Sequence, residues 1–348
     1  MKVSELTAGT TADLDVLVAE ATSFSYSKGT AIKFQLKDSS GAIEFVDWNR
    51  AMEGKLLPGS VYSVTMKVTS YQGKLQASVS QYRVLVGKSA MDFASRTRFD
   101  TDNMLAKVLE LINDMEDPYI RYVSMELLAG EFRDFYKKAP AARVMHNAYF
   151  GGLIEHALQL ADMGLAIHAL YQMKFLPELN QDKIIFGCLF HDWGKMFEYN
   201  IDNPAYPNTL EGELIPHIVQ GPAMVHTITD KLLDGIADGF SENELETEVQ
   251  AFLTDKGLLE DNPMDHITKT RNQLMHIIAS HHGTEEWGSP VRPKTMEALI
   301  VHHLDNLDAK VMHAVGLLKK PVIAGTSATL TERSFFEKVP YFRQGVLS

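Results

Sequence analysis

Phe190-His191-Asp192-Trp193-Gly194-Lys195 closes an apolar run, Ile184–Phe190, and its adjacent histidine and aspartate decide how the chain is read. Together they give one site a neutral imidazole and a carboxylate, and a carboxylate can bridge two cations. A lone His-Asp pair means little. Here further candidate ligands flank it in order: His156 before, then His217, His281-His282 and Asp305. One histidine on an amphipathic helix is more often packed or solvated than a ligand. That plain reading suits His168, His226, His266, His276 and His313. The ordered set resists it, because each member would need its own coincidence. Such a set can hold two metals about 3.5–4 Å apart, an arrangement suited to phosphodiester hydrolysis.

Working outward, apolar residues at three- and four-residue spacing predict helices on both sides of the pair. Upstream they cover Met104–Met115, Ile120–Tyr136 and Tyr149–Tyr171, the last carrying His156 after Gly151-Gly152. The pair ends helix Gln181–Phe190, with Gly194 expected to terminate it. Further helices are expected over Pro222–Asp234, Ile267–Ser280 and Thr295–Leu317, with Asp305 in the last and Asp308 a turn beyond. Four helices would then each point a ligand inward, as in bundle metal sites. Imidazole and carboxylate ligands without sulfur suit a pair of divalent cations: Mn²⁺ first, then Mg²⁺, Fe or Zn²⁺. Lys195, one turn past His191, is placed to meet a phosphate oxygen as a point charge. Asp192 and Lys195 are the expected catalytic residues.

The first 90 residues follow a different period. Alternation over Asp13–Glu20, Ile32–Leu36, Ala42–Trp48, Val61–Val68 and Leu75–Val86 predicts five strands. Ser27-Lys28-Gly29, Asp38-Ser39-Ser40-Gly41, Pro58-Gly59-Ser60 and Gln72-Gly73-Lys74 supply the turns. The fold class expected is therefore multidomain: a small five-stranded β-barrel of the OB type, then an all-α domain. The expected boundaries are a barrel over 1–90, a helical linker over 91–135, the metal-binding domain over 136–320 and a tail over 321–348. The acidic segment 234–265 holds ten Asp/Glu against one Lys, and reads as a solvated helical insertion. Aromatic pairs Phe335-Phe336 and Tyr341-Phe342 suggest that the tail packs back or meets a neighbouring subunit in a homo-oligomer.

Composition sets bounds. The 348 residues are 45% hydrophobic and 22% charged, with no apolar run near the ~20 residues that cross a bilayer. Met1-Lys2-Val3-Ser4-Glu5-Leu6 lacks the apolar core of a signal peptide, so a cytoplasmic protein without membrane contact is expected. Cys188, the sole cysteine, allows neither an internal disulfide nor a thiolate zinc cluster, and reads as core. Net charge is −12, yet residues 1–90 hold ten Lys/Arg against eight Asp/Glu. An acidic protein can still bind nucleic acid through a local basic strip. In the barrel, Phe24, Tyr26, Phe34, Trp48 and Tyr71 are the available rings, and Lys28, Lys33, Lys67, Lys74 and Arg83 the nearby cations. Phe34 shares strand phase with Ile32 and Leu36 and is expected in the core. Tyr26 and Tyr71 lie near turns and are better contact residues.

The run His146-Asn147-Ala148-Tyr149-Phe150-Gly151-Gly152-Leu153-Ile154-Glu155-His156 resembles the entry helix of HD-superfamily phosphohydrolases. The likeness is closest to one branch, the YhaM-type 3′-5′ exoribonucleases, which place an OB-fold before the HD domain. Its other marks are His217-Ile218-Val219-Gln220-Gly221 and the stretch Ser280-His281-His282-Gly283 through Pro290. They continue through Pro293-Lys294-Thr295-Met296 to Asp305-Asn306-Leu307-Asp308. The resemblance implies metal ligands at His156, His191, Asp192 and Asp305. It implies second-metal or substrate roles at His217, His281 and His282, and a catalytic or phosphate-binding Lys195. Asn147, Pro216 and the long acidic segment depart from the family pattern. The expected substrate contacts are Tyr26, Tyr71, Lys74, Lys195, Arg292 and Lys294.

Three functions compete. The first is a 3′-5′ exonuclease that takes single-stranded RNA, with DNA open as a second substrate, to nucleoside monophosphates. The second is a phosphohydrolase acting on a small or cyclic nucleotide, which would not need the barrel. The third is a nucleic-acid-binding or assembly protein with a structural metal, which would not need Lys195 beside an open position.

Overall fold

The computed structural model describes residues 1–71, 74–143, 147–174, 179–203, 206–237, 243–258, 262–319 and 329–343. His146, the Gln72-Gly73 turn, residues 321–328 and 344–348 of the tail and parts of the acidic segment lie outside them. No described helix is long and apolar enough to cross a membrane.

Each expected strand is present, and together they close into a barrel. The strands are β1 (Thr11–Tyr26), β2 (Gly29–Asp38), β3 (Gly41–Asp47), β4 (Val61–Tyr71) and β5 (Lys74–Val84), in the order β1-β2-β3-β5-β4. β1 is long enough to serve two neighbours. Its first half pairs with β4 and its second with β2, the change coming at a register shift between Val18 and Glu20. An irregularity of this kind bends a strand and lets a sheet curl onto itself. Closure is completed by the parallel pairing of β3 with β5 at Glu44↔Gln76 and Phe45↔Ala77. This is the partly Greek-key barrel of the OB-fold. Val16, Val18, Leu36, Val64, Met66 and Val68 fill it, and Phe34 stacks on Phe45 at 5.5 Å between ring centres. Leu17 and Val61 face outward and are covered by Phe93, from a short turn over Ala90–Phe93.

The helices are α1 (Thr101–Asn113), α2 (Pro118–Glu126), α3 (Phe132–Lys138), α4 (Gly152–Lys174), α5 (Gln181–Phe190), α6 (Lys195–Glu198), α7 (Leu210–Leu214), α8 (His217–Ala237), α9 (Asn243–Asp255), α10 (Pro263–Ser280) and α11 (Met296–Lys319). Three expectations need correction. The single helix read over Ile120–Tyr136 is two, because Gly130 takes a left-handed φ of 56° between α2 and α3. The helix expected to start at Pro222 starts at His217. Pro222 lies inside it, where the missing N–H removes one early hydrogen bond. The acidic segment is not wholly solvated. Val249 and Leu253 of α9 are fully buried against the main core, each contributing about 1.5–3 kcal/mol by leaving water. Arg121–Glu248 and Lys256–Glu116 pairs hold its rim.

One apolar core joins α1–α3, the stretch expected as a linker, to the helices that follow. Its centre is α5, buried from Ile184 to Phe190, as a helix apolar on all sides must be. At Gly187 a Cβ would stand 2.6 Å from both Ile277 and Val301, so α10 and α11 cross α5 at contact distance. His191, four residues on, therefore emerges where three helices meet. The tail packs back on α11. Strands β6 (Leu330–Arg333) and β7 (Pro340–Phe342) form a small sheet, Arg343 donates to the Leu318 carbonyl, and Lys310 pairs with Glu337.

Candidate metal centre

His156 projects from α4, His191 and Asp192 from the end of α5, His217 from the first residue of α8, His281 and His282 from the end of α10, and Asp305 from α11. All seven expected ligands converge. Their atoms form overlapping groups within 4.8 Å: His156, His191 and Asp192; His191, His281 and Asp305; and Asp192, His217, His281 and His282.

The spacings suit a cation. His156 Nε2 lies 3.3 Å from His191 Nε2 and 3.3 Å from Asp305 Oδ1, and His191 Nε2 lies 3.4 Å from Asp192 Oδ2. A cation about 2.1 Å from each ligand would set neighbouring ligand atoms about 3.0 Å apart in an octahedron and about 3.4 Å in a tetrahedron. Asp192 turns its other oxygen to the second group: Oδ1 is 3.4 Å from His217 Nε2 and 3.5 Å from His281 Nε2. Those three atoms and His282 Nδ1 are buried, with no hydrogen-bond partner among the described residues. Four orphaned acceptors facing one another are costly unless something positive lies between them. The donor set fits a divalent metal.

Supporting contacts fix which nitrogen each imidazole presents. His156 Nδ1 meets Asp308 at 2.7 Å, His191 Nδ1 the Gly187 carbonyl at 3.1 Å, His217 Nδ1 Glu198 at 2.6 Å and His281 Nδ1 the Ile278 carbonyl at 2.6 Å. With Nδ1 so occupied, Nε2 is left for the metal. Glu198 also accepts from the His217 backbone N–H at 2.6 Å. Nothing in the sequence singled it out, since Glu198 sits nineteen residues before His217. His302 Nδ1 donates to the His281 carbonyl at 2.7 Å and steadies the same turn.

Charge is balanced within the cluster. Burial disfavours the Asp192 carboxylate, but Lys195 and His191 hold its pKa well below the ordinary value. Burial likewise opposes protonation of His156, yet hydrogen bonds to Asp305 and Asp308 push it up to about 9. His282 goes the other way, to about 2, through burial and then the neighbouring His281 and His217. Burial lowers His281 as well.

Gly194, expected to terminate α5, instead lies past its end at Phe190, with φ −62° before the next helix. A Cβ there would meet His217 Cα and O at 2.7 Å, so the glycine lets the start of α8 approach Asp192. Lys195 is near the cluster but not free: its ammonium donates to Asp192 Oδ2 at 2.6 Å and to the Ala141 carbonyl at 2.7 Å. One of its three donors remains. Tyr26 closes the β1–β2 hairpin, and Tyr71 and Lys74 pair at the end of the β4–β5 hairpin. Arg292 and Lys294 lie between α10 and α11, where Arg292 is paired with Glu285 at 3.1 Å. The five histidines read as packed or solvated have their own partners: His168 the Leu179 carbonyl, His226 Asp230, His266 Asp117, His276 the Lys294 N–H and His313 the Phe335 N–H.

Residues 153–310 match the family model described as HD domain. The first 90 residues are similar to the second OB-fold domain of replication protein A from Methanococcus maripaludis. The solution structure of that domain aligns at 25% identity over 26% of this chain and 96% of that one, with a TM-score of 0.22. A crystal structure of a domain of the same protein aligns at 25% identity over 24% and 93%, also with a TM-score of 0.22. The helical part of the chain thus holds an HD domain, the domain of metal-dependent phosphohydrolases, behind an OB-type barrel.

Proposed function

We propose that this protein is a metal-dependent 3′-5′ exonuclease that hydrolyses single-stranded RNA, and DNA less readily, to nucleoside monophosphates. The observation that carries the reading is the division of Asp192, one carboxylate oxygen toward each imidazole group, in a chain that also carries an OB-type barrel. Divalent cations in such a site supply a nucleophilic water and offset charge on the attacking and leaving oxygens. His156, His191, Asp192 and Asp305 would hold one, and His217, His281 and His282 with Asp192 the other. A sulfur-free set of this kind suits Mn²⁺.

The remaining work falls to the chain itself. Glu198 and Asp308 orient His217 and His156, so the ligands need not reorganise during reaction. Lys195 stays charged because Asp192 outweighs the cost of its burial. It fixes the Asp192 carboxylate, and its remaining proton would meet a non-bridging phosphate oxygen. No protein base is required for in-line displacement in such a site. On the barrel, rings beside the β1–β2 turn would stack on bases while cations follow phosphates.

The test is a time course with Mn²⁺ on 5′-labelled single-stranded RNA and its DNA equivalent, beside Asp192→Ala and a panel of linear and cyclic nucleotides. The expected result is a ladder that shortens from the 3′ end and is absent in the variant. Intact oligonucleotides with turnover of one small nucleotide would replace this reading with a small-molecule phosphohydrolase.

A further inference from the structure

Four arginines of this acidic chain are engaged by carboxylates among the described residues: Arg50 by Glu53, Arg121 by Glu248, Arg271 by Asp230 and Arg292 by Glu285. Arg96, Arg98 and Arg143 are exposed and have no carboxylate partner among the described residues. They are far apart in sequence from the metal ligands, but the backbone brings them to the same place. The segment holding Arg96 and Arg98 is pinned beside the start of α4. Phe150 N–H donates to the Ser95 carbonyl at 3.0 Å, and Thr97 N–H to the Phe150 carbonyl at 2.9 Å. His156 follows about one turn into α4. Arg143 comes two residues after Ala141, whose carbonyl holds Lys195.

Electrostatics agree with that placement. Burial raises the hydroxyls of Tyr149, Tyr199 and Tyr206, and Arg98, Arg143 and Arg96 respectively pull them back down. Tyr149 also feels Asp308, and Tyr199 feels Lys195 and Asp192, so both lie at the edge of the metal cluster. Toward the barrel, the Lys37 ammonium of β2 stands 5.9 Å over the Tyr206 ring. The strip thus runs from the outer side of β2, across the seam between the domains, to Lys195. Rings accompany it: Arg96 lies 4.6 Å over Phe150, and Arg98 lies 4.8 Å over Phe99, which is 48% exposed.

Exposed arginines interleaved with rings such as the half-exposed Phe99 suit a single strand. The charges follow phosphates irrespective of sequence, and rings accept bases. A folded acidic protein would need no ring platform, and a mononucleotide would not span from β2 to α4. We propose that Arg96, Arg98 and Arg143, with Lys37, form the track that carries the backbone of a single-stranded nucleic acid from the barrel to the metal centre. This rests on the nucleic-acid reading above and names the residues that deliver the strand, in place of the carboxylate-paired Arg292.

The test uses the full chain and a fluorescein-labelled 12-nucleotide single-stranded RNA, with binding followed by anisotropy in EDTA across a salt series. Arg98→Glu with Arg143→Glu should weaken binding at least tenfold. It should also reduce the slope of log affinity against log salt by roughly 1.4, about 0.7 for each lost phosphate contact. Lys231→Glu with Arg333→Glu, which makes the same change in net charge elsewhere, should leave affinity within twofold. The lysine pair, Arg98→Lys with Arg143→Lys, should recover most of the binding, which a folding defect would not allow. Wild-type binding with equal affinity in the glutamate pair would overturn the track and leave the nuclease reading standing. A wild-type chain that does not bind the oligonucleotide would overturn both.

Discussion

His156 Nδ1 and the Asp308 carboxylate stand 2.7 Å apart in the interior of the helical domain, one α11 turn beyond the proposed ligand Asp305. The contact fixes the imidazole so that Nε2 faces the cluster, and it enriches the ring with negative charge. Asp308→Asn keeps a similar shape and removes the charge. Loss of such a partner lowers metal affinity by roughly 10–100-fold. Mn²⁺ titration by calorimetry should show that drop with little change in the melting temperature of the chelated protein. Unchanged affinity would make Asp308 a packing residue only.

The same pair makes metal uptake depend on pH. With its pKa at about 9, His156 holds a proton at neutral pH before a cation binds. The cation must displace it, so affinity at this position should rise about tenfold per pH unit up to pH 9 and level off above. His281 and His282 are lowered by burial and have no proton to lose at pH 7, so they add nothing to that slope. Calorimetry in buffers of different ionisation enthalpy at pH 7 should find about one proton released by His156. In Asp308→Asn the levelling point should move to lower pH. A flat profile from pH 6 to 9 would remove His156 from the ligand set.

Gly194→Ala tests the seam between the His-Asp turn and α8. The new Cβ would fall 2.7 Å from His217 Cα, and both sides of that contact are backbone, so one must move. Overpacking of this kind costs about 1–3 kcal/mol, and here the displaced residue is a proposed ligand. The melting temperature should drop, and the bound metal should fall from two ions toward one as His217 is carried away from Asp192. Two ions retained at full affinity would show that His217 is not needed.

The parts of this architecture that were legible in the sequence are those with a short period or a chemical signature. Alternation in Ile32–Leu36 and Ala42–Trp48 marks a strand because burial on one face leaves the other wet. The His-Asp pair stands out because few structural roles require both. What escaped was set by tertiary contacts. Glu198 acts through an imidazole nineteen residues away and nothing local distinguishes it from a solvated carboxylate, while Asp308, visible a turn beyond Asp305, gains its role only from His156, 152 residues away. Gly194 reads as a helix stop in the sequence, because a glycine chosen for close approach and one chosen for positive φ look alike there. The docked face of α9 was hidden by its charge: ten acidic residues in its segment drown the two, Val249 and Leu253, that bury it.

The barrel offers the last prediction, which separates binding rings from structural ones. Trp48 is 51% exposed, with its ring 5.0 Å from Tyr26 and 5.9 Å from Phe24 in T-shaped contacts, so about half of its surface is open to solvent. Phe34 is 1% exposed and stacked within the barrel. Base stacking on an aromatic side chain is worth about 1–3 kcal/mol, which is roughly 5–150-fold in affinity. Trp48→Ala should therefore weaken oligonucleotide binding within that range and leave the melting temperature of the chain nearly unchanged. Phe34→Ala should do the reverse at first order, destabilising the barrel by about 3–5 kcal/mol through the cavity it leaves. Anisotropy and thermal melting on the two variants decide the matter. Equal loss of stability in both would make the Phe24–Tyr26–Trp48 group part of the barrel's packing, and equal affinity in Trp48→Ala and wild type would move the stacking surface to Tyr71 at the opposite hairpin.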